Sequence, residues 1–313
     1  MAENHNHHSA GGMSEGRLRL SLLLTIGFVA VEGIAGARAH SLALLSDAGH
    51  NFTDALALLL SWYALRVARK PATSGKTYGY HRVGILTALF NSLTLLVIAG
   101  LIFAEAFRLF AHPEPVQSGP MIVVALIAVL MNTVIAMWLH GASHDSLNMR
   151  SAFIHMLGDA FSSAGVVVAG IAIRFTGWAY ADPLVSVLIG IFIVYTSLGI
   201  VKEAVNVLLE GTPSGLDMKK LVTAMQVVPG VEDVHDLHVW TIGDGMNALS
   251  CHLRVGGSDA AGAAKVVREV KEMLAAHYSV RHSTIETECN GCDTNEIYCQ
   301  MEPHSHAGCG HDH

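Results

Sequence analysis

Apolar positions in the first two thirds of the chain fall into six blocks, approximately Leu18–Gly36, Leu42–Val67, Val83–Phe110, Met121–Leu139, Ala152–Phe175 and Pro183–Leu208. Each is near or above the roughly 20 residues that an α-helix needs to cross a bilayer's hydrocarbon. Turn-forming or charged stretches divide them, among them Arg69-Lys70-Pro71 and His112-Pro113-Glu114-Pro115. After Glu210-Gly211-Thr212-Pro213 the pattern shortens. Asp217–Val227 predicts an amphipathic helix opened by an aspartate cap, and Ala260–Tyr278 predicts a second helix. Val234–Ile242 and Asn247–Val255 predict strands around a Gly243-Asp244-Gly245 turn, and Ser283–Glu288 predicts a third strand. The order α-β-β-α-β suits a small open sheet covered by two helices.

Composition supports a membrane protein. Of 313 residues, 51% are hydrophobic and 14% charged, where a soluble chain carries about 25% charged residues. Four segments result: a polar, His-containing tail over 1–16 (His5, His7, His8), a six-helix membrane domain over 17–210, a cytoplasmic domain over 211–288, and a Cys/His-rich tail over 289–313. The start of the chain lacks the short apolar core of a cleavable signal. Nine basic residues (Arg17, Arg19, Arg66, Arg69, Lys70, Lys76, Arg82, Arg150, Lys202) flank the spans on one side and three (Arg38, Arg108, Arg174) on the other. The positive-inside rule then puts both termini in the cytoplasm, with the spans in the inner membrane. The net charge of −7 argues against a nucleic-acid partner. Of five cysteines, Cys289, Cys292, Cys299 and Cys309 lie in the last 25 residues and Cys251 in the predicted sheet, so no disulfide framework is expected.

Ionisable groups inside spans are costly in a bilayer and therefore informative. His50 and Asp54 in the second span, and His155 and Asp159 in the fifth, share the spacing H-x-x-x-D. Residues four apart lie on one helix face, about 6 Å from one another. One such pair could be a structural hydrogen bond. Two facing pairs supply two imidazoles and two carboxylates, the ligand set of tetrahedral Zn²⁺, with Cd²⁺, Co²⁺ or Ni²⁺ as weaker candidates. Asp47, one turn before His50, is a candidate partner orienting that ring or a group lining the access route. Glu32 carries no assigned role. No H-E-x-x-H occurs, and no enzyme is expected.

The run Ser41-Leu42-Ala43-Leu44-Leu45-Ser46-Asp47-Ala48-Gly49-His50-Asn51-Phe52-Thr53-Asp54 resembles the second helix of the cation diffusion facilitators. Ser146 to Asp159 resembles the fifth helix of that family's zinc-transporting branch. Leu208-Leu209-Glu210-Gly211-Thr212-Pro213 and Val234-His235-Asp236-Leu237-His238-Val239-Trp240 resemble its junction and cytoplasmic domain. The resemblance implies a homodimeric zinc/proton antiporter with six transmembrane helices and a ferredoxin-like α+β cytoplasmic domain. It also implies a cytoplasmic zinc site at His235, His252, His282 and Glu288; solvated surface histidines are the plainer reading. By the same kinship His81, between the second and third spans, is a weaker candidate for another site. Cys289-x-x-Cys292 has ligand spacing but makes only half of a Cys₄ site. The competing function is a membrane-anchored zinc sensor or buffer, which would need no ligands inside the bilayer.

Overall fold

A computed structural model describes residues 15–140, 147–243, 245–256 and 260–288. Six long helices come first: α1 (Glu15–Ala39), α2 (Leu42–Ala68), α3 (Val83–Ala111), α4 (Ser118–His140), α5 (Leu147–Thr176) and α6 (Ala181–Leu208). The short α7 (Met218–Gln226), β1 (Val231–Gly243), β2 (Met246–Val255), α8 (Ala260–Tyr278) and β3 (Val280–Glu288) follow. Both β1 and β3 begin three residues earlier than the alternation of the sequence predicts. The chain divides into two compact units, residues 1–63 with 87–201, and residues 64–86 with 202–313.

In the first unit, four helices are long and apolar enough to cross a membrane on their described residues: Val83–Ala111, Ser118–Met137, Met156–Thr176 and Ala181–Leu208. On α3 the buried positions Leu95, Ala99, Ile102, Ala106 and Leu109 recur every three or four residues, while Phe107 on the opposite face is 78% exposed. Phe161, Phe175 and Tyr195 also point outward, the arrangement expected where the solvent is lipid. Small residues allow close contact inside. A Cβ at Gly190 of α6 would fall 2.6 Å from the Phe103 ring.

The join between α1 and α2 is tightly specified. His40 adopts φ 52°, Ser41 N–H donates to Gly36 O at 3.0 Å, and His40 N–H donates to Ala37 O at 3.4 Å. This is a Schellman end, with a histidine where glycine is usual. Ser41 then caps α2 by accepting from Leu44 N–H, and its own hydroxyl donates to Asp182 at the start of α6. Asp182, fully buried, also accepts from Leu42 N–H at 2.7 Å and Ala43 N–H at 3.3 Å.

In the second unit, β2 lies between β1 and β3, antiparallel to β1 and parallel to β3. Asp217 caps α7 by accepting from Lys219 and Lys220 N–H. Leu221 and Met225 of α7 and Val266, Val270 and Leu274 of α8 bury one face of the sheet through Val234, Leu237, Val239, Leu249, Cys251 and Leu253. The register shifts between His235 and His238, where Asp236 adopts φ 46°. The extra residue is a β-bulge. It lets Val234 and Leu237 both face the core at a spacing of three, leaving His235 and His238 on the other face.

Candidate metal centres

In the helical unit, α2 brings His50 and Asp54 to one face, as their spacing requires. His50 Nε2 lies 3.6 Å from Asp54 Oδ2 and 3.4 Å from Asp159 Oδ1 of α5. One donor atom from each of the three falls within 4.8 Å of the others. His50 and Asp159 are buried and Asp54 is partly exposed. His155 stands on α5 one turn before Asp159, and its side chain lies outside the described residues. One imidazole and two carboxylates at such spacing form most of a tetrahedral set for a borderline-soft divalent ion.

Asp47 is not among the clustered donors. Its carboxylate accepts from Ser162 Oγ at 2.7 Å and Ser163 Oγ at 2.6 Å, tying α2 to α5. Asn51, next to His50, donates from Nδ2 to Glu32 Oε2 of α1 at 3.1 Å, and Thr53 Oγ donates to His50 O at 2.7 Å. The two serines and Glu32 were not singled out by spacing, because their significance depends on which helix faces which.

A second cluster lies on the open face of the sheet. His235 and His252 are direct partners across β1 and β2, with ring centroids 5.4 Å apart. Glu288, near the end of β3, reaches both: Oε2 lies 3.2 Å from His235 Nε2, and Oε1 lies 2.8 Å from His252 Nδ1. Donor atoms of these three also fall within 4.8 Å of one another. More carboxylates surround them. Asp233 lies 3.4 Å from His235 Nδ1, while Asp236 and Glu286 lie 3.7 and 3.6 Å from His252 Nε2. The alternation of acids and histidines from Glu232 to His238 was the available signal for the first two. Cys251 faces the core instead; burial pushes its thiol up to about 12, and the charge of Asp236 adds to the shift.

The grouping of His282 with that trio needs correction within one chain. His282 pairs with Ala248, whereas Glu288 pairs with Arg254 six residues along the strand, which is about 20 Å at a strand's rise. The His282 ring instead meets Tyr78 edge-on, centroids 5.5 Å apart. His81 packs against Gly243, where a Cβ would fall 2.6 Å from the His81 Cβ. No described metal cluster includes His81 or His282. The candidates Cys289 and Cys292, and the terminal histidines His5, His7 and His8, lie outside the described residues.

Comparison with known proteins bears on both units. Residues 18–209 match the model of the cation efflux transmembrane domain, and residues 213–289 match that of the cation efflux protein cytoplasmic domain. The chain is 35% identical to a cadmium, cobalt and zinc/H(+)-K(+) antiporter of Bacillus velezensis, covering 95% of this chain and 96% of that one. It is 36% identical to the zinc transporter ZitB of Escherichia coli, over 98% of this chain and all of that protein. It is also 36% identical to the metal cation efflux system protein CzcD of Cupriavidus metallidurans, over 94% and 92% of the two chains. With both domain models matched in chain order and full-length relatives at this identity, the chain belongs to the cation diffusion facilitator family of cation efflux transporters.

Proposed function

We propose that this protein exports Zn²⁺ from the cytoplasm in exchange for protons, by alternating access through a tetrahedral site of His50, Asp54, His155 and Asp159. The observation that carries this reading is the approach of His50, Asp54 and Asp159 to within 4.8 Å from two membrane-length helices. Neutral imidazole and ionised carboxylates capture the ion from the cytoplasmic side. Rocking of helices against one another exposes it outward, where protons compete for the same ligands. Relatives named for zinc, cadmium and cobalt support a soft divalent substrate, and the one named an H(+)-K(+) antiporter supports protons as counter-ion.

The protein works as a homodimer in the inner membrane, with six spans and both termini in the cytoplasm. The basic residues counted above support this orientation. A ferredoxin-like cytoplasmic domain carries a regulatory or structural zinc at His235, His252 and Glu288, with His282 and a partner chain able to complete it. Flux of zinc into proteoliposomes under an imposed pH gradient tests the proposal. Transport by His50→Ala at the wild-type rate would overturn the site.

The trio on the sheet supports a second reading, in which the protein senses or stores zinc. Zinc binding to the purified protein without gradient-driven flux would select that reading.

A further inference from the structure

The connection between α2 and α3 is longer than the roughly 4–6 residues that usually join two elements, and no described metal cluster includes any part of it. Residues 69–82 are nevertheless held in shape by their own bonds. Thr73 and Lys76 exchange both backbone hydrogen bonds, at 3.1 and 3.0 Å. Gly79 N–H donates to Lys76 O at 2.9 Å, and the Lys76 ammonium stands 5.9 Å from the centre of the Tyr80 ring. Gly79, at φ 76°, then turns the chain between Tyr78 and His81.

The end of this strap, from Tyr78 to Arg82, rests on separate parts of the second unit. The Tyr78 ring and the His282 ring, at the start of β3, meet edge to face with planes at 82°. His81 lies against Gly243, at the end of β1, where a Cβ would fall 2.6 Å from the His81 Cβ and 3.3 Å from its carbonyl oxygen. Backbone meets backbone there, so only glycine fits without displacing the strap. Arg82 Nη2 lies 3.2 Å from Glu210 Oε1, just past the end of α6. The same unit takes in the ends of the helices that the strap joins, residues 64–68 of α2 and 83–86 of α3. His50 and Asp54 stand earlier on the same α2, in the first unit.

We infer that Tyr78 and His81 are positioning residues for transport: seated on His282 and Gly243, they hold the Ala68 end of α2 to the sheet while the part carrying His50 and Asp54 moves. The inference rests on the transport reading and adds a fixed point to it. None of these four contact residues belongs to the clustered donors of either site. Each turn of a helix is bonded to the next, so a helix held at one end carries that constraint along its length. With the strap seated, His50 and Asp54 open and close against Asp159 from an anchored end. With the strap released, that end drifts with the ligands, and their approach to Asp159 loses its lever. The strap therefore stays seated through the whole cycle, as a tether and not as a gate.

Zinc flux into proteoliposomes under an imposed pH gradient tests this, with the maximal rate and the half-saturating zinc concentration measured separately. Tyr78→Ala removes the ring contact, and Gly243→Ala pushes His81 away. Each should lower the maximal rate by roughly tenfold and leave the half-saturating concentration unchanged, because the three ligands stay. Tyr78→Phe keeps the ring and should transport as the wild type does. A second arm joins Tyr78→Cys to His282→Cys with a short bifunctional thiosulfonate, in a chain whose other cysteines are serine. The linked protein should transport at the rate of its cysteine-free parent, and reducing the link should lower that rate. If an alanine variant does not fold, the linked protein decides. Wild-type rates in both alanine variants would overturn the inference, as would a link that stops flux, since the strap would then have to lift. A wild type that moves no zinc ends the transport reading and this inference together, whereas flux lost only on linking ends this inference alone.

Discussion

His50 Nε2 and Asp159 Oδ1 stand 3.4 Å apart although 109 residues separate them, which makes the contact a product of α2 packing against α5. The Asp47 bonds to Ser162 and Ser163 hold the same two helices together close to that contact. A group of donor atoms held by two helices can be opened and closed by moving either one.

Loss of a donor should therefore stop transport. His50→Ala and Asp159→Asn are each expected to cut zinc flux in proteoliposomes by more than the roughly 10–100-fold typical of losing an outer partner of a ligand. Because the imidazole must be neutral to bind, zinc affinity at this site should fall as the medium on the loading side is acidified. Zinc titrations at several pH values would show it.

The cytoplasmic trio predicts a different outcome. His235→Ala or His252→Ala should remove about one bound zinc per chain from the purified protein, measured by metal analysis after dialysis, while gradient-driven flux at saturating zinc continues. His282→Ala should leave that count unchanged if the trio alone holds the ion. A drop in the His282 variant would show that this side chain, about 20 Å along β3 from Glu288, is supplied to another chain's site.

Asp182 is expected to matter for stability. Its carboxylate serves the Ser41 hydroxyl and two backbone N–H groups at the start of α2, all away from solvent. Asp182→Ala leaves those donors unpaired, at about 1–3 kcal/mol each for a buried group. The melting temperature in detergent should fall markedly, and Asp182→Asn, which keeps one acceptor oxygen, should recover part of the loss.

Cys251 should be chemically silent in the folded protein. With its thiol held near 12 by burial, it carries almost no thiolate at pH 8, and iodoacetamide should modify it only after unfolding. The folded value lies above the reference value of 9.0, so the associated stability is present in full below pH 9 and is lost as pH rises toward 12. Thiol labelling followed by mass spectrometry across that range checks both statements.

The cytoplasmic sheet shows where reading along the chain reaches its limit. Alternation locates the strands, and Asp217 announces α7 because a capping aspartate acts within three residues. The bulge at Asp236 is different. A regular strand would put His235 and His238 on opposite faces, and the extra residue puts both on the face away from the core. A bulge depends on pairing with β2, so period-two reading of β1 alone misses it.

The sequence alone determined the apolar blocks, the turn from membrane-length helices to a small mixed sheet, the i,i+4 placement of His50 with Asp54, and the family through its motifs. Those are local properties, set by helical periodicity, hydropathy and capping. The tertiary structure decided that Asp159 meets His50, that Asp47 spends its oxygens on Ser162 and Ser163, that Glu32 accepts from Asn51, and that Glu288 rather than His282 joins His235 and His252 within one chain. Each depends on the rotation of one helix against another or on the register between strands. Such geometry comes from packing many side chains together, so no short stretch of sequence contains it.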